Sequence, residues 1–284
     1  MKFNLWTQYG ALNSKEVFDA FASGCRTLGY DVSFNNNDGD VDVIWSVLFN
    51  GRMAGNRAVW ERAMAQSKPV VVLEVGGIKR GTTWKVGLNG INRDANFGNV
   101  DCTNDRTKQL GLELKSWKND GEFILICGQH DKSLQWKEMP RMSNWVMDTI
   151  ENIQKYSKRP ILFRPHPRCR LPYIEKEYTN VYRQDPVKIV GSYDDFDMTF
   201  KNIWATVSYS SNPGIHSVIE GVPSYVSTHS LAYDVANDID FFHTIENPLR
   251  PDRSKWLNEY AHTEWTVEEI SQGLPLKRLT SILK

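Results

Sequence analysis

Cysteine is scarce in this chain: four among 284 residues, at Cys25, Cys102, Cys127 and Cys169. None forms a C-x-x-C pair and none has a histidine at zinc-ligand spacing, so neither a disulfide framework nor a structural metal is indicated and all four read as ordinary thiols. Net charge is lacking too. The 34 basic side chains balance the 34 acidic ones, which leaves no global positive field to draw a polyanion; any basic site has to be local. No apolar run approaches the roughly 18 to 20 residues that span a bilayer, and Met1 to Gly10 alternates like a strand instead of carrying the apolar centre of a signal peptide. The expected location is therefore the cytoplasm, with no transmembrane segment. The sequence holds no G-x-x-x-x-G-K-[ST] loop, no H-E-x-x-H and no G-x-S-x-G, which argues against a P-loop kinase, a zinc protease and an α/β-hydrolase. What it has in quantity is apolar and aromatic surface, 40% and 12% of residues with ten tryptophans, enough for two modest cores and suited to stacking surfaces or to a core of large side chains.

Short apolar runs alternate with helical stretches through both halves. Lys2 to Trp6 reads as a strand, and Ser14 caps a helix to Leu28. Strands follow at Tyr30 to Phe34 and Val41 to Val47, then a helix from Gly55 to Gln66 and the fully apolar strand Pro69 to Leu73, a run suited to a parallel sheet. Glu74 to Gly98 is glycine-rich and polar and reads as a long functional loop. The charged run Asp101 to Gly121 holds the boundary, dividing the chain into residues 1–119 and 120–284. The rhythm restarts with strand Phe123 to Cys127, a helix from Ser143 to Lys155, strand Ile161 to Arg164, strand Ile203 to Val207, a helix from Gly214 to Glu220 and strand Ser224 to Val226. A helix start at Ser254 and a T-x-x-E capping box at Thr266 to Glu269 make the tail helical.

Two motifs concentrate polar chemistry where strands end, the place at which open α/β sheets bind ligands. In R-P-H-P-R the two prolines hold Arg164, His166 and Arg168 in set directions, a group of donors suited to phosphate oxygens. The alternative is a stiffened turn whose arginines pair with the acidic run Asp194, Asp195, Asp197. In S-Y-S-S-N-P-G-I-H-S-V-I-E-G-V-P, Ser210 and Ser211 precede a helix start with Pro213 in its first turn, where free amides and the helix dipole favour an anion. His216 and Glu220 share a face of that helix, with Glu220 placed to accept from a ribose; the alternative is a capped helix with an incidental pair.

Taken together, G-Q-H-D-K-S-L after a strand, then R-P-H-P, then S-S-N-P-G-I-H-S-V-I-E-G-V-P resembles the C-terminal domain of the capsule-polysaccharide glycosyltransferases that use CMP-Kdo. The resemblance implies a GT-B fold, α/β with two Rossmann-like domains facing a cleft, and a nucleotide-sugar donor in the C-terminal half. Carried over, it implicates Gln129, His166, Ser210, Ser211 and Glu220 in donor binding, beside Arg164, Arg168 and His216. E-V-G-G-I-K-R is similar to that family's E-D-G-F-L-R, with Val75 at the aspartate position. The whole stretch to Asn92, and the compactness of the chain, look like short phage-encoded glycosyltransferases. That likeness implies DNA modification, with a hydroxymethylated pyrimidine in phage DNA as acceptor; a capsule or cell-surface glycan is the alternative acceptor. A nucleotide-sugar binding module without catalysis is the alternative from another class.

Glycosyl transfer needs a base for the acceptor hydroxyl and positive charge for the leaving phosphate. Glu74, at a strand end, is the first choice of base, Asp94 and Asp42 the weaker ones, and Arg80 joins Glu74 in the catalytic set. Lys79, Trp84 and Lys85 are expected to bind the acceptor by charge and stacking. D-x-D pairs occur at Asp38/Asp40, Asp40/Asp42, Asp195/Asp197 and Asp238/Asp240, a pattern that can hold a divalent ion. They are read here as coincidence among many acidic residues, so the expectation is metal-independent transfer with no metal and no cofactor beyond the nucleotide-sugar substrate.

Overall fold

A computed structural model describes residues 1–98, 101–169, 171, 174, 176–192 and 195–283. Its contacts group into two units: Met1–Leu110 with Lys132–Leu134 and Asn258–Lys284, and Gly111–Asp131 with Gln135–Leu257. The segment from Asn258, which a boundary at the charged run would leave with the second half, groups with the first.

The first unit is built on a six-stranded sheet ordered β2-β1-β3-β4-β5-β12. Strands β1 (Lys2–Leu5), β2 (Asp31–Phe34), β3 (Val41–Trp45) and β4 (Val70–Val75) run parallel. Strands β5 (Thr83–Leu88) and β12 (Glu264–Thr266) extend the sheet antiparallel. Helix α1 (Lys15–Thr27) closes one face with α7 (Val267–Ser271) and α8 (Leu274–Thr280), burying Phe18, Phe21, Trp45, Leu73, Trp84, Trp265 and Leu276 in one cluster. Helix α2 (Asn56–Ala65) covers the other face, over Ile44, Val70 and Val72. Short α3 (Asp105–Leu110) is tied down by Arg106, whose guanidinium is buried against Trp265 at 3.9 Å and bonded to Glu269 and to the carbonyls of Ala261 and Glu264. The expected capping box is present: Glu269 N–H donates to Thr266 Oγ1 at 3.2 Å, and Thr266 N–H to Glu269 Oε2 at 2.8 Å.

The stretch from Glu74 to Gly98 is not the long loop its composition suggests. Strand β4 continues to Val75, and Thr83–Leu88 returns beside it as fully buried β5. A lysine and a glycine inside T-W-K-V-G-L disguise the strand, because Lys85 is neutralised only by residues far away in sequence.

The second unit is a six-stranded sheet ordered β8-β7-β6-β9-β10-β11, with every pairing parallel. Its strands are β6 (Phe123–Cys127), β7 (Ile161–Arg164), β8 (Val181–Arg183), β9 (Ile203–Ser208), β10 (Ser224–Val226) and β11 (Asn237–Asp238). In β6, Ile124 and Ile126 face the core under α4 (Met142–Gln154), while Leu125 and Cys127 face the cluster with Phe200 and Val222. Burial on both faces is why the strand reads as a continuous apolar run. Chain order reverses between β6 and β9: β7 and β8 lie to one side, β9, β10 and β11 to the other, which makes the β6/β9 junction a topological switch point. Helix α5 (Asn212–Ile219) starts there, and α6 (Ser254–Ala261) follows β11 in the chain.

Candidate functional site

At the carboxyl edge of the second sheet, the loops after β6, β7 and β9 bring the predicted motifs together. Strand β6 pairs with both neighbours, Cys127 opposite Arg164 on β7 and opposite Ser208 on β9. Gln129 is 6% exposed, and its Oε1 accepts from Ser210 N–H at 3.1 Å and Ser210 Oγ at 3.0 Å. This pair crosses the switch point. Ser211 is the extended N-cap residue of α5, with Pro213 in the first turn and no side-chain cap bond. Gly214 lets that helix start sit close on the strand ends: a Cβ there would meet Ser208 Oγ at 2.5 Å and Val226 Cγ1 at 2.9 Å. Three buried polar atoms at this edge, Ser208 Oγ, Ser211 Oγ and Arg164 Nη1, have no hydrogen-bond partner among the described residues. Buried donors left this way are costly unless something else satisfies them.

The rest of the arginine is held in place. Arg164 Nε and Nη2 donate to Gln184 Oε1 at 3.1 and 2.6 Å, so its partner is an amide and not the acidic run; Asp194 of that run lies outside the described residues. His166 Nδ1 accepts the Arg168 N–H at 3.1 Å. That bond selects the tautomer with the proton on Nε2, which can donate to an anion. The His166 ring stands edge-on to His130, with centroids 5.4 Å apart. Arg168 is exposed. Tyr209 lies half-buried between Trp136, 5.1 Å away, and His229, 5.8 Å away. Sequence reading passed over Tyr209 and His229, whose only signal is that each follows a strand of the parallel set.

Not every expected donor residue reaches this edge. His216 is half-buried inside α5, and Glu220 is the exposed residue that closes it. Glu220 is about 13 Å along the axis from Ser211 at the helical rise per residue, so the fold does not bring it to the anion end.

In the first unit, Glu74 is half-buried near the end of β4. Ser46 Oγ donates to its Oε2, and the Val75 N–H to its Oε1 at 2.7 Å. Lys79 is exposed and Arg80 half-buried on the turn that follows. Trp84 and Lys85 belong to β5 and are only 5% and 4% exposed. The Trp84 ring packs 5.7 Å from Trp45 in the core, so it offers no stacking platform, and Lys85 is no surface cation. Burial holds Lys85 below the usual lysine range, against the opposing charges of Glu264 and Glu74. Of the weaker base candidates, Asp94 is exposed, while Asp42 is fully buried, accepting from Trp6 Nε1 at 2.8 Å and paired with Lys68 at 3.0 Å.

The residue that organises this region was not foreseen. Glu264 on β12 is fully buried, and its carboxylate accepts from Gly77 N–H at 2.7 Å, Ile78 N–H at 2.9 Å and Thr83 Oγ1 at 2.8 Å. Gly76 permits the approach: a Cβ there would lie 2.2 Å from Thr83 O and 2.4 Å from Glu264 Oε2.

Several D-x-D carboxylates are engaged within the protein. Asp38 bonds Lys2 and Ser33, and Asp238 accepts from Tyr233 Oη and Asp240 N–H. A different group, His130, Asp131 and Cys169, brings one nitrogen, one oxygen and one sulfur ligand atom within 4.8 Å of one another. Imidazole with thiolate favours zinc over the hard, oxygen-seeking ions that accompany phosphates. Among the described residues, no helix is long and apolar enough to cross a membrane.

No protein-family model matches the chain, and no curated protein matches it by sequence. Among solved structures it is similar to the Thermosulfurimonas dismutans KpsC described as a beta Kdo 2,7 transferase, with a TM-score of 0.54 at 12% identity over 98% of this chain and 100% of that one. It is also similar to the same organism's KpsC described as a beta Kdo 2,4 transferase, with a TM-score of 0.52 at 13% identity over 93% and 90%. At these identities the likeness is one of fold, a two-unit α/β architecture with parallel-rich sheets.

Proposed function

We propose that the chain is a GT-B glycosyltransferase that binds a nucleotide-sugar at the carboxyl edge of its second sheet and transfers the sugar to a hydroxyl of a capsule or cell-surface glycan. One observation carries the donor site: at the switch point, Gln129 ties the β6 loop to Ser210, while buried Ser211 Oγ and Arg164 Nη1 lack partners there. Phosphate oxygens would satisfy both, together with His166 Nε2–H and the free amides that open α5. These supply the positive charge that departure of a nucleotide requires, so transfer proceeds without a divalent ion. Glu74 is the base for the acceptor hydroxyl. The folds of the two Kdo transferases support a glycan acceptor. Phage DNA as acceptor loses the cationic patch it would need, because Trp84 and Lys85 are buried.

Titration with UDP-, GDP-, CMP- and ADP-linked sugars tests the donor site. At least one should bind, and His166→Ala should weaken it by about 1.5 to 3 kcal/mol, the range for a charge-assisted hydrogen bond. Glu74→Gln should keep donor affinity and lose transfer by about a hundred- to ten-thousand-fold. Equal donor affinity in wild type and His166→Ala would remove His166 from the site. Donor binding without release of nucleotide, in the presence or absence of glycan, would point to a binding module.

A further inference from the structure

Three charged residues lie abreast on neighbouring strands of the first sheet. Glu74 on β4 is the register partner of Lys85 on β5, and Lys85 is the register partner of Glu264 on β12. Register partners have Cβ atoms about 4.5 to 5.5 Å apart on the same face of a sheet. Lys85 and Glu264 are buried, so water screens little of what passes between them. The remaining surroundings are polar but specific: Ser46 of β3 on Glu74, Tyr260 of α6 donating to Glu264 at 3.4 Å, and Lys79 and Arg80 on the turn after β4. Burial and the Glu264 charge push the Tyr260 hydroxyl well above its ordinary range, which keeps it a neutral donor. Lys85 is thus one ammonium shared by two carboxylates. Glu264 has a second duty, since the same carboxylate fixes the backbone of Gly77 and Ile78 just beyond Glu74.

We propose that Lys85 and Glu264 are positioning residues that set the proton affinity of Glu74 through this three-strand charge row. The proposal rests on the reading of Glu74 as base for its purpose, but not for its test. The two neighbours pull in opposite directions. The ammonium of Lys85 favours ionised Glu74, while the carboxylate of Glu264 opposes it directly and by claiming part of the same cation.

Site-resolved carboxyl titration of the full chain by ¹³C NMR reads this directly. In Lys85→Met the Glu74 midpoint should rise by about one pH unit, the lower end of what a close opposite charge supplies. In Glu264→Gln it should fall, and in Lys85→Arg, which keeps the charge, it should stay near wild type. Should either of the first two fail to fold, the reciprocal measurement stands in. Glu74→Gln leaves Glu264 and the turn intact, and should lower the Lys85 midpoint, seen at its ε-carbon, by about the same one unit, because coupling between two sites is symmetric. Midpoints that do not move, or that move the same way in Lys85→Met and Glu264→Gln, would overturn the proposal. An unmoved Lys85 midpoint in Glu74→Gln would do so as well. A coupled titration combined with full transfer activity in Glu74→Gln would leave the charge row standing and refute only the base assignment.

Discussion

At the scale of single residues, the site consists of side chains whose bonding capacity is partly used and partly left over. His166 spends Nδ1 on a backbone amide and so presents Nε2–H. Arg164 spends two nitrogens on Gln184 and keeps Nη1. Gln129 is different, because its oxygen accepts twice from one buried serine and has a structural duty as well as a local one. Replacing it with leucine would leave the Ser210 amide and hydroxyl without that acceptor. Gln129→Leu should therefore cost about 1 to 3 kcal/mol of stability in denaturant melts, and donor affinity should fall with it, since the same bond ties the loop to the helix start. A stable Gln129→Leu protein with wild-type donor affinity would make the contact incidental.

Among elements, the short ones depend on ion pairs. Helix α3 is too short to hold itself, and Arg106 fastens it to Glu269 at 2.6 Å and to carbonyls around β12. Burial pushes the Glu269 carboxyl up, but the Arg106 hydrogen bonds, the Thr266 N–H and the Arg106 charge outweigh it and hold it below the ordinary value of 4.5. A carboxyl lowered in the folded state stabilises at pH above its unfolded value and loses that contribution as pH falls through the folded value. The stability advantage of wild type over Glu269→Gln should thus be full above about pH 4.5 and shrink below it. Arg106→Ala, which strands a buried carboxylate, should cost about 3 to 5 kcal/mol near neutrality. A stability difference that does not change with pH would show that the pair's charge is not what holds α3.

For the whole molecule, the question of metal separates two mechanisms. If arginine, histidine and the α5 amides neutralise the phosphates, turnover should survive EDTA. Complete loss, restored by a divalent ion and prevented by Cys169→Ser, would place that ion at His130, Asp131 and Cys169, whose spacing brings them together. The acceptor is a question of the same scale: binding of a neutral glycan should respond little to salt, whereas a DNA acceptor would be lost steeply as salt rises.

Local pattern determined a great deal. The apolar runs of β4, β6 and β9, the capping box at Thr266, and the collection of R-P-H-P-R and S-S-N-P-G at strand ends follow from burial, capping geometry and the parallel-sheet rule, all of which act within a few residues. Tertiary structure decided what depends on partners distant in sequence. Strand β5 is hidden in T-W-K-V-G-L because a buried lysine is tolerable only beside Glu74 and Glu264, and Glu264 arrives from the far end of the chain. Trp84 changes from candidate platform to core for the same reason, since the strand that holds it turns its ring onto Trp45. Glu220 leaves the expected donor set because a helix starting at the sheet edge carries its last residue away from that edge. His130, Asp131 and Cys169 form a ligand group only because β6 and β7 are neighbours, an adjacency that no spacing along the chain encodes.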